Sequence, residues 1–335
     1  MSSGPKIVAL CGGVGGAKLV LGLERRFGAG VTAIVNTGDD FEHLGLHISP
    51  DVDTVLYTLA ELSDPERGWG RADETWNCMK SLSAIGGETW FRLGDRDLAM
   101  HIERTRQLRS GISLTEFTAT VAKRLGIVAA VVPMSDDPIS TVVHTEEGAL
   151  PFQEYFVGRQ CEPVLHRVEF KNAERAQPSR AALTALQDPA LTAIIICPSN
   201  PYLSIDPILA VPSMRDAIRS AAAPVVAVSP LIGGKAVKGP TAKIMSELKH
   251  DCGPLAIAVH YQDLIDGLVV DCEDRHAAVP VPVRVTATLM KTLEDRDRVA
   301  SECVAFAELI GFETHKVSQQ KSTRRFVVAK KRSNL

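Results

Sequence analysis

The run Cys11-Gly12-Gly13-Val14-Gly15-Gly16-Ala17-Lys18 has the composition of a phosphate cradle. Consecutive glycines let backbone amides close on an anion, and a helix start favours negative charge at the same place. A phosphate or diphosphate is the guest it suits, with Gly12, Gly13, Gly15, Gly16 and Lys18 as its contacts. The spacing departs from the dinucleotide fingerprint, because Gly13 and Gly15 open a G-x-G but Lys18 stands at the third glycine position. It departs from the Walker motif too, since no Gly-Lys-Ser/Thr occurs. The bland alternative is a tightly packed strand–helix corner.

Carboxylates form the second group. Asn36-Thr37-Gly38-Asp39-Asp40 is followed closely by Ile48-Ser49-Pro50-Asp51-Val52-Asp53-Thr54. Like charges repel and desolvated carboxylates are costly, so a divalent ion would relieve both penalties. Mg²⁺ bridging phosphate oxygens is the preferred reading, with Asp39, Asp40 and Asp51 as its ligands and Asn36 and Thr37 as nucleotide contacts. N-capping of the next helix by Asp51 or Asp53 is the competing one.

Other polar constellations carry less. In the run 90–99, Arg92 and Arg96 suit a bidentate phosphate clamp, or else a self-paired helix start. Ser199 and Asn200, in a proline-punctuated turn after a strand, suit a base or sugar edge, or plain turn chemistry. Gly233-Gly234-Lys235 with Lys238-Gly239-Pro240 offers a second anion contact. His43, His47, His101 and His144 lack metal spacing and are read as surface or core residues. No nucleophile elbow, HExxH or kinase signature occurs.

The elements that must position these groups follow from hydrophobic patterning. Apolar runs 7–10 and 31–35 flank the glycine turn and a helical stretch 17–27, which spells a parallel βαβ unit. Similar runs recur at 128–132, 193–197, 224–228 and 255–259. That rhythm predicts an α/β fold, a Rossmann-like doubly wound and mostly parallel sheet with sites at strand C-terminal ends. Leu114, Phe117, Val121 and Leu125 fall at helical spacing, so 56–126 reads as a helical insertion in a core of 1–55 and 127–335. Residues 141–145, the turn 146–148 and residues 152–157 suggest a hairpin or meander.

The 335 residues carry a net charge of −3, which disfavours nucleic-acid binding. A basic C-terminus, from Lys321 to Arg332, reads as a solvated tail with a short strand at 326–328. Seven cysteines without a C-x-x-C pair argue for a reducing compartment and against structural zinc. No apolar run approaches a signal peptide or a membrane span, so a cytoplasmic enzyme is expected.

The chain resembles the 2-phospho-L-lactate transferases of coenzyme F-420 biosynthesis. The likeness rests on residues 12–18, 36–40, 48–54, 68–70, 94–99, 133–138 and 198–201, with 152–156, 204–211 and 228–230 adding to it. It extends from about residue 6 to beyond residue 300. The resemblance implies Mg²⁺ dependence, a homodimer, and a donor in which a three-carbon acid is linked through a diphosphate to guanosine. Its acceptor would be the ribityl deazaflavin Fo, whose terminal hydroxyl displaces GMP. By the same resemblance Asp53 and Arg92 contact the acceptor, while the glycine turn and Ser199-Asn200 hold the donor. Asp51, Asp53 and Arg92 are the catalytic candidates, with Asp51 or Asp53 orienting or deprotonating the hydroxyl. Lactate, enolpyruvate and glycerate remain open as the acid. The rival readings are a non-catalytic nucleotide-sugar-binding regulator of the same fold and, less well supported, an NAD-dependent dehydrogenase.

Overall fold

A computed structural model describes residues 4–332 of the chain, and side chains within residues 4–313. Its strands are β1 (Lys6–Cys11), β2 (Val31–Val35), β3 (Phe41–His43), β4 (Leu46–Ile48), β5 (Ala130–Pro133), β6 (Ser140–Thr145), β7 (Gly148–Pro151), β8 (Leu165–Lys171), β9 (Leu191–Ile196), β10 (Val225–Val228), β11 (Leu231–Ile232), β12 (Lys235–Ala236), β13 (Gly267–Val270) and β14 (Val283–Val285). The helices are α1 (Gly13–Phe27), α2 (Pro50–Leu59), α3 (Asn77–Ala84), α4 (Asp95–Arg109), α5 (Leu114–Arg124), α6 (Arg180–Leu186), α7 (Asp206–Leu209), α8 (Pro212–Ser220), α9 (Thr241–Glu247), α10 (Pro254–His260) and α11 (Leu293–Arg332).

Seven strands form one sheet in the order β14-β13-β10-β9-β1-β2-β5. Every neighbouring pair in it is parallel. Strands buried on both faces read as near-continuous aliphatic runs, and Val225–Val228 and Gly267–Val270 are buried throughout. Successive side chains of β1 enter different cores: Ile7 and Ala9 pack with α1 and α11, whereas Val8 and Leu10 pack on the other face with α6, α8 and α10. A smaller antiparallel sheet, β7-β6-β8, and the two-stranded hairpin β3-β4 lie outside the main sheet.

Three expected elements differ. Residues 255–259 are not a strand but the body of α10, which Gly253 and Pro254 start as N-cap and first residue. A five-residue apolar run does not distinguish the two by periodicity; in the helix Ile257 and Ala258 are buried while Leu255 and Val259 are exposed. The additional parallel strand is β13 instead. Residues 152–157 do not pair back on β6, whose partners are β7 and β8; Glu154–Gly158 form a π-helical turn. Residues 326–328 fall in α11 rather than in a strand.

Candidate active site

Strand order reverses at β1, because β2 and β5 extend the sheet on one side of it and β9, β10, β13 and β14 on the other. In open α/β sheets ligands bind outside the strand C-termini at such a point. The two turns that meet there are the glycine turn after β1 and Pro198-Ser199-Asn200 after β9. They are in direct contact: Ser199 Oγ donates to the Gly12 carbonyl at 2.7 Å and accepts from the Gly12 amide at 3.2 Å. A Cβ on Gly15 would lie 2.4 Å from the Pro198 carbonyl oxygen, and one on Gly16 would lie 2.5 Å from Ser199 Oγ. Glycine at these two positions is therefore required by the approach of the β9 turn.

The start of α1 has a protein anion of its own. Asp51, near the start of α2, accepts from the Gly13 amide at 2.7 Å and from Asn36 Nδ2 at 2.9 Å. The first four amides of a helix lack intrahelical partners; here Ser199 answers the N-cap Gly12 and Asp51 answers Gly13, which leaves the amides of Val14 and Gly15 open to an anion. Asn200 fixes its own turn by accepting from the Tyr202 and Leu203 amides through Oδ1, and its Nδ2 is buried with no hydrogen-bond partner. Lys18 is half-buried one turn into α1; burial, then the charges of Arg296 and Lys238, lowers its pKa.

Sequence and fold together place Asp39 and Asp40 just past β2, where Asp39 is buried and Asp40 half-buried with its side chain 9% exposed. The hairpin β3-β4 turns through Leu44 and Gly45, whose φ values of 53° and 72° belong to a tight mirror-type turn. Phe41 then pairs with Ile48, which carries Ser49 back beside Asp40. Ser49 Oγ donates to Asp40 Oδ2 at 2.7 Å, and His47 Nε2 lies 3.1 Å from the same oxygen. The other oxygens, Asp39 Oδ1 and Asp40 Oδ1, are buried without partners, as is Thr37 Oγ1. Burial raises the pKa of all three neighbouring acids: Asp39 well above the carboxylate range, helped by the Asp51 charge, Asp40 less, and Asp51 to about 6. A hard divalent cation takes oxygen ligands of this kind; Asp39 and Asp40 offer it a pair, but Asp51 does not join them in a set of three, and among the described residues the one set of three donors lying within 4.8 Å of one another is Asp53, Asp97 and His101.

Asp53 is tied elsewhere. It forms a two-point ion pair with Arg104 of α4, which is fully buried, and its Oδ2 lies 3.7 Å from His101 Nδ1. Asp97 completes that network, accepting a hydrogen bond from the Tyr57 hydroxyl at 2.5 Å and sitting 3.4 Å from His101 Nε2. Arg92 stacks on Trp76 with its guanidinium carbon 4.5 Å from the ring centroid. Asp95 spends its carboxylate on Thr75 and on the amides of Asn77 and Cys78 at the start of α3. The structure thus unites Gly12, Gly13, Asn36, Asp51 and Ser199 through direct bonds; Asp53 and Arg92 are held in separate networks with Arg104 and Trp76.

Sequence reading passed over several positioning groups. His47, taken as a surface or core residue, touches Asp40; its signal is the pairing of an eight-residue hairpin around Leu44-Gly45. Gln153, which reaches the Asp39 carbonyl at 3.4 Å, and Arg104 are brought in over 114 and 51 residues, a distance no local pattern encodes. A separate cavity of about 800 Å³ opens near the N-terminal ends of β1, β2, β5 and β9, lined by Lys6, Thr32, Ala130, Arg180 and Thr184. It shares none of these groups, and the convergence of polar donors and acceptors outweighs its volume.

The class this arrangement defines is a doubly wound α/β protein with a polar crevice of helix-start amides and acidic side chains at its switch point. The model for the 2-phospho-L-lactate transferase CofD matches residues 7–299, and the chain belongs to that family. It is accordingly a transferase of a phosphorylated three-carbon acid in coenzyme F-420 biosynthesis. A phosphoenolpyruvate transferase of Kitasatospora aureofaciens is 40% identical over 318 residues, covering 91% of this chain and 98% of its own. One from Mycobacterium avium is 37% identical over 317 residues, covering 85% and 94%. A Bacillus halodurans protein of the UPF0052 family has the same fold, with a TM-score of 0.59 at 17% identity over 91% of this chain and 100% of its own. Among the described residues no helix is long and apolar enough to cross a membrane.

Proposed function

We propose that this chain transfers a phosphoenolpyruvyl group from a guanosine-diphosphate-linked donor to the terminal ribityl hydroxyl of the deazaflavin Fo, releasing GMP. The observation that carries the reading is a set of buried, unpartnered polar atoms on both sides of β1: Asn200 Nδ2 after β9, and Thr37 Oγ1, Asp39 Oδ1 and Asp40 Oδ1 after β2. The first-turn amides of α1 and Asn200 hold the donor's diphosphate and nucleoside, and Asp39 and Asp40 hold Mg²⁺. That ion supplies charge neutralisation on the phosphate oxygens.

The acceptor oxygen attacks the phosphorus bearing the three-carbon acid as the bond to the GMP oxygen breaks, leaving a phosphodiester on the deazaflavin. Phosphoryl transfer asks mainly for positioning and charge stabilisation, with no covalent enzyme intermediate. Asp51, its pKa pushed up to about 6 by burial, suits acceptance of the hydroxyl proton. Asp53, held by Arg104, suits a positioning role, with Arg92 on the acceptor side. Enolpyruvate is preferred to lactate or glycerate because the relatives at 37–40% identity are named for it. The proposed state is a cytoplasmic homodimer, the commonest symmetric assembly.

Purified protein with Mg²⁺, Fo and each of the three guanylated donors is expected to release GMP and give the matching mass of deazaflavin product with the enolpyruvyl donor. Product only with lactyl or glyceryl donor would reassign the acid; donor binding without any product would replace the transferase with a binding protein.

A further inference from the structure

The carboxylate of Asp40 is gripped by one oxygen only. Ser49 Oγ donates to Oδ2 at 2.7 Å, and His47 Nε2 lies 3.1 Å from the same atom. An ionised carboxylate accepts hydrogen bonds and never donates them, so Nε2 carries the ring proton and Oδ2 takes two bonds. Oδ1 takes none and is buried without a partner. A buried unpaired oxygen is costly, so a role confined to satisfying this acid would spread two donors over two oxygens. Here both converge on Oδ2, which leaves Oδ1 as the oxygen open to a ligand of the opposite charge.

Both donors are held where they can do this. Ser49 is the N-cap of α2, a place where a serine hydroxyl ordinarily accepts from a first-turn amide, yet it makes no capping bond to that helix. His47 lies in β4, and α4 holds its backbone at both ends. Its amide donates to Thr105 Oγ1 at 2.8 Å, and its carbonyl accepts from Arg104 Nη1 at 3.4 Å. Thr105 Oγ1 donates in turn to the His101 carbonyl at 2.7 Å, so its hydrogen is committed within α4 and its lone pairs face the His47 amide. Arg104 is fully buried and Thr105 is 6% exposed. The position of α4 therefore decides how far the His47 ring reaches toward Asp40.

We infer that His47 and Ser49 are positioning residues that turn Asp40 so that Oδ1 faces the cation, with Thr105 of α4 holding His47 in reach. This rests on Asp39 and Asp40 holding Mg²⁺, as proposed above. Carboxylates that ligate metals are themselves oriented by hydrogen bonds from the next layer of residues, and that layer sets metal affinity. Neither His47, Ser49 nor Thr105 touches the reacting atoms, so their effect lies in how readily the cation is bound.

Metal binding itself is the test. Mn²⁺ is titrated into the full chain without donor or acceptor, and the free ion is followed by electron paramagnetic resonance. His47→Phe and Ser49→Ala are each expected to raise the Mn²⁺ Kd by about tenfold or more, and Thr105→Val by about threefold. His47→Gln and Ser49→Thr keep a donor for Oδ2 and hold Kd within about threefold of wild type. In turnover, His47→Phe and Ser49→Ala raise the Mg²⁺ concentration for half-maximal rate, while saturating Mg²⁺ returns the rate to within about threefold of wild type. Melting curves identify any variant that fails to fold; if His47→Phe is one, Ser49→Ala and Thr105→Val carry the test. Asp40→Asn is the reference. If it binds Mn²⁺ as the wild type does, the cation is not held at Asp40, and the metal reading falls together with the positioning one. If it weakens Mn²⁺ binding while folded His47→Phe and Ser49→Ala keep the wild-type Kd, the two residues serve stability alone and the positioning role is overturned.

Discussion

Asp51 is a carboxylate placed where a phosphate would otherwise be the natural guest. It is buried, accepts from the Gly13 amide and from Asn36, and titrates near 6 because burial outweighs those bonds. Its folded pKa is raised above the unfolded value, so the native state binds the extra proton between about pH 4 and pH 6 and loses stability as pH rises through that window. Asp51→Asn removes this titration. Relative to the variant, the wild type in metal-free buffer is expected to lose about 2 kcal/mol between pH 4 and pH 7. Urea melts at several pH values measure the difference, and any fixed cost of the amide cancels from its slope; a flat difference would mean that Asp51 ionises normally. Asp39 and Asp40 lead to a second expectation. Asp39→Asn or Asp40→Asn should lower turnover on the order of 10²-fold and raise the Mg²⁺ concentration for half-maximal rate, and unchanged Mg²⁺ titrations in both would remove them as ligands.

Between elements, the decisive joints are α4 on α2 and the β1 turn on the β9 turn. Arg104 brings α4 to Asp53 of α2 and covers the Phe117 ring of α5, with its guanidinium carbon 5.5 Å from the ring centroid. Arg104→Ala leaves Asp53 buried and unpaired, so a loss of about 3–5 kcal/mol is expected in denaturant melts. Replacing both partners, Arg104→Met with Asp53→Leu, should recover most of it, since no uncompensated charge remains; equal losses in single and double variants would show that packing rather than charge holds the joint. At the second joint, Gly15→Ala pushes a methyl against the Pro198 carbonyl. A cost of about 1–3 kcal/mol and a raised donor KM are expected, with wild-type donor KM counting against this crevice. These joints also mark what the sequence could disclose. The parallel strands after the glycine turn were legible because buried β-branched runs between turn residues admit few readings, and the acid cluster was legible as a cluster. Residues 255–259 were not, because the distinguishing exposure of Leu255 and Val259 depends on what packs on the other side. Nor was the separation of Asp53 from Asp51: two residues apart on one helix, they are divided by Arg104 and Asn36, which arrive from distant segments.

For the whole molecule the question is which end of the sheet receives substrate, because the two ends offer different things. The cavity of about 800 Å³ lies toward the N-terminal ends of β1, β2, β5 and β9, and the Lys6–Asp188 ion pair spans two of its lining residues. The switch-point end gathers helix-start amides, Asn200 Nδ2 and orphaned carboxylate oxygens after β2. Volume alone binds weakly and without orientation; a diphosphate needs convergent donors, which the second end offers at a helix start, and the cation proposed on Asp39 and Asp40 would supply the compensating charge that the carboxylates themselves do not. Thr184 is exposed on α6 and lines the cavity, so Thr184→Phe fills space there without entering the core. Turnover and both KM values are expected to stay within about twofold of wild type, since electrostatic and positioning terms at the far end are untouched. Steady-state kinetics of that one variant decide the matter: a tenfold rise in either KM would move substrate binding to the N-terminal end, whereas unchanged constants leave the switch point as the end at which the phosphorylated acid changes hands.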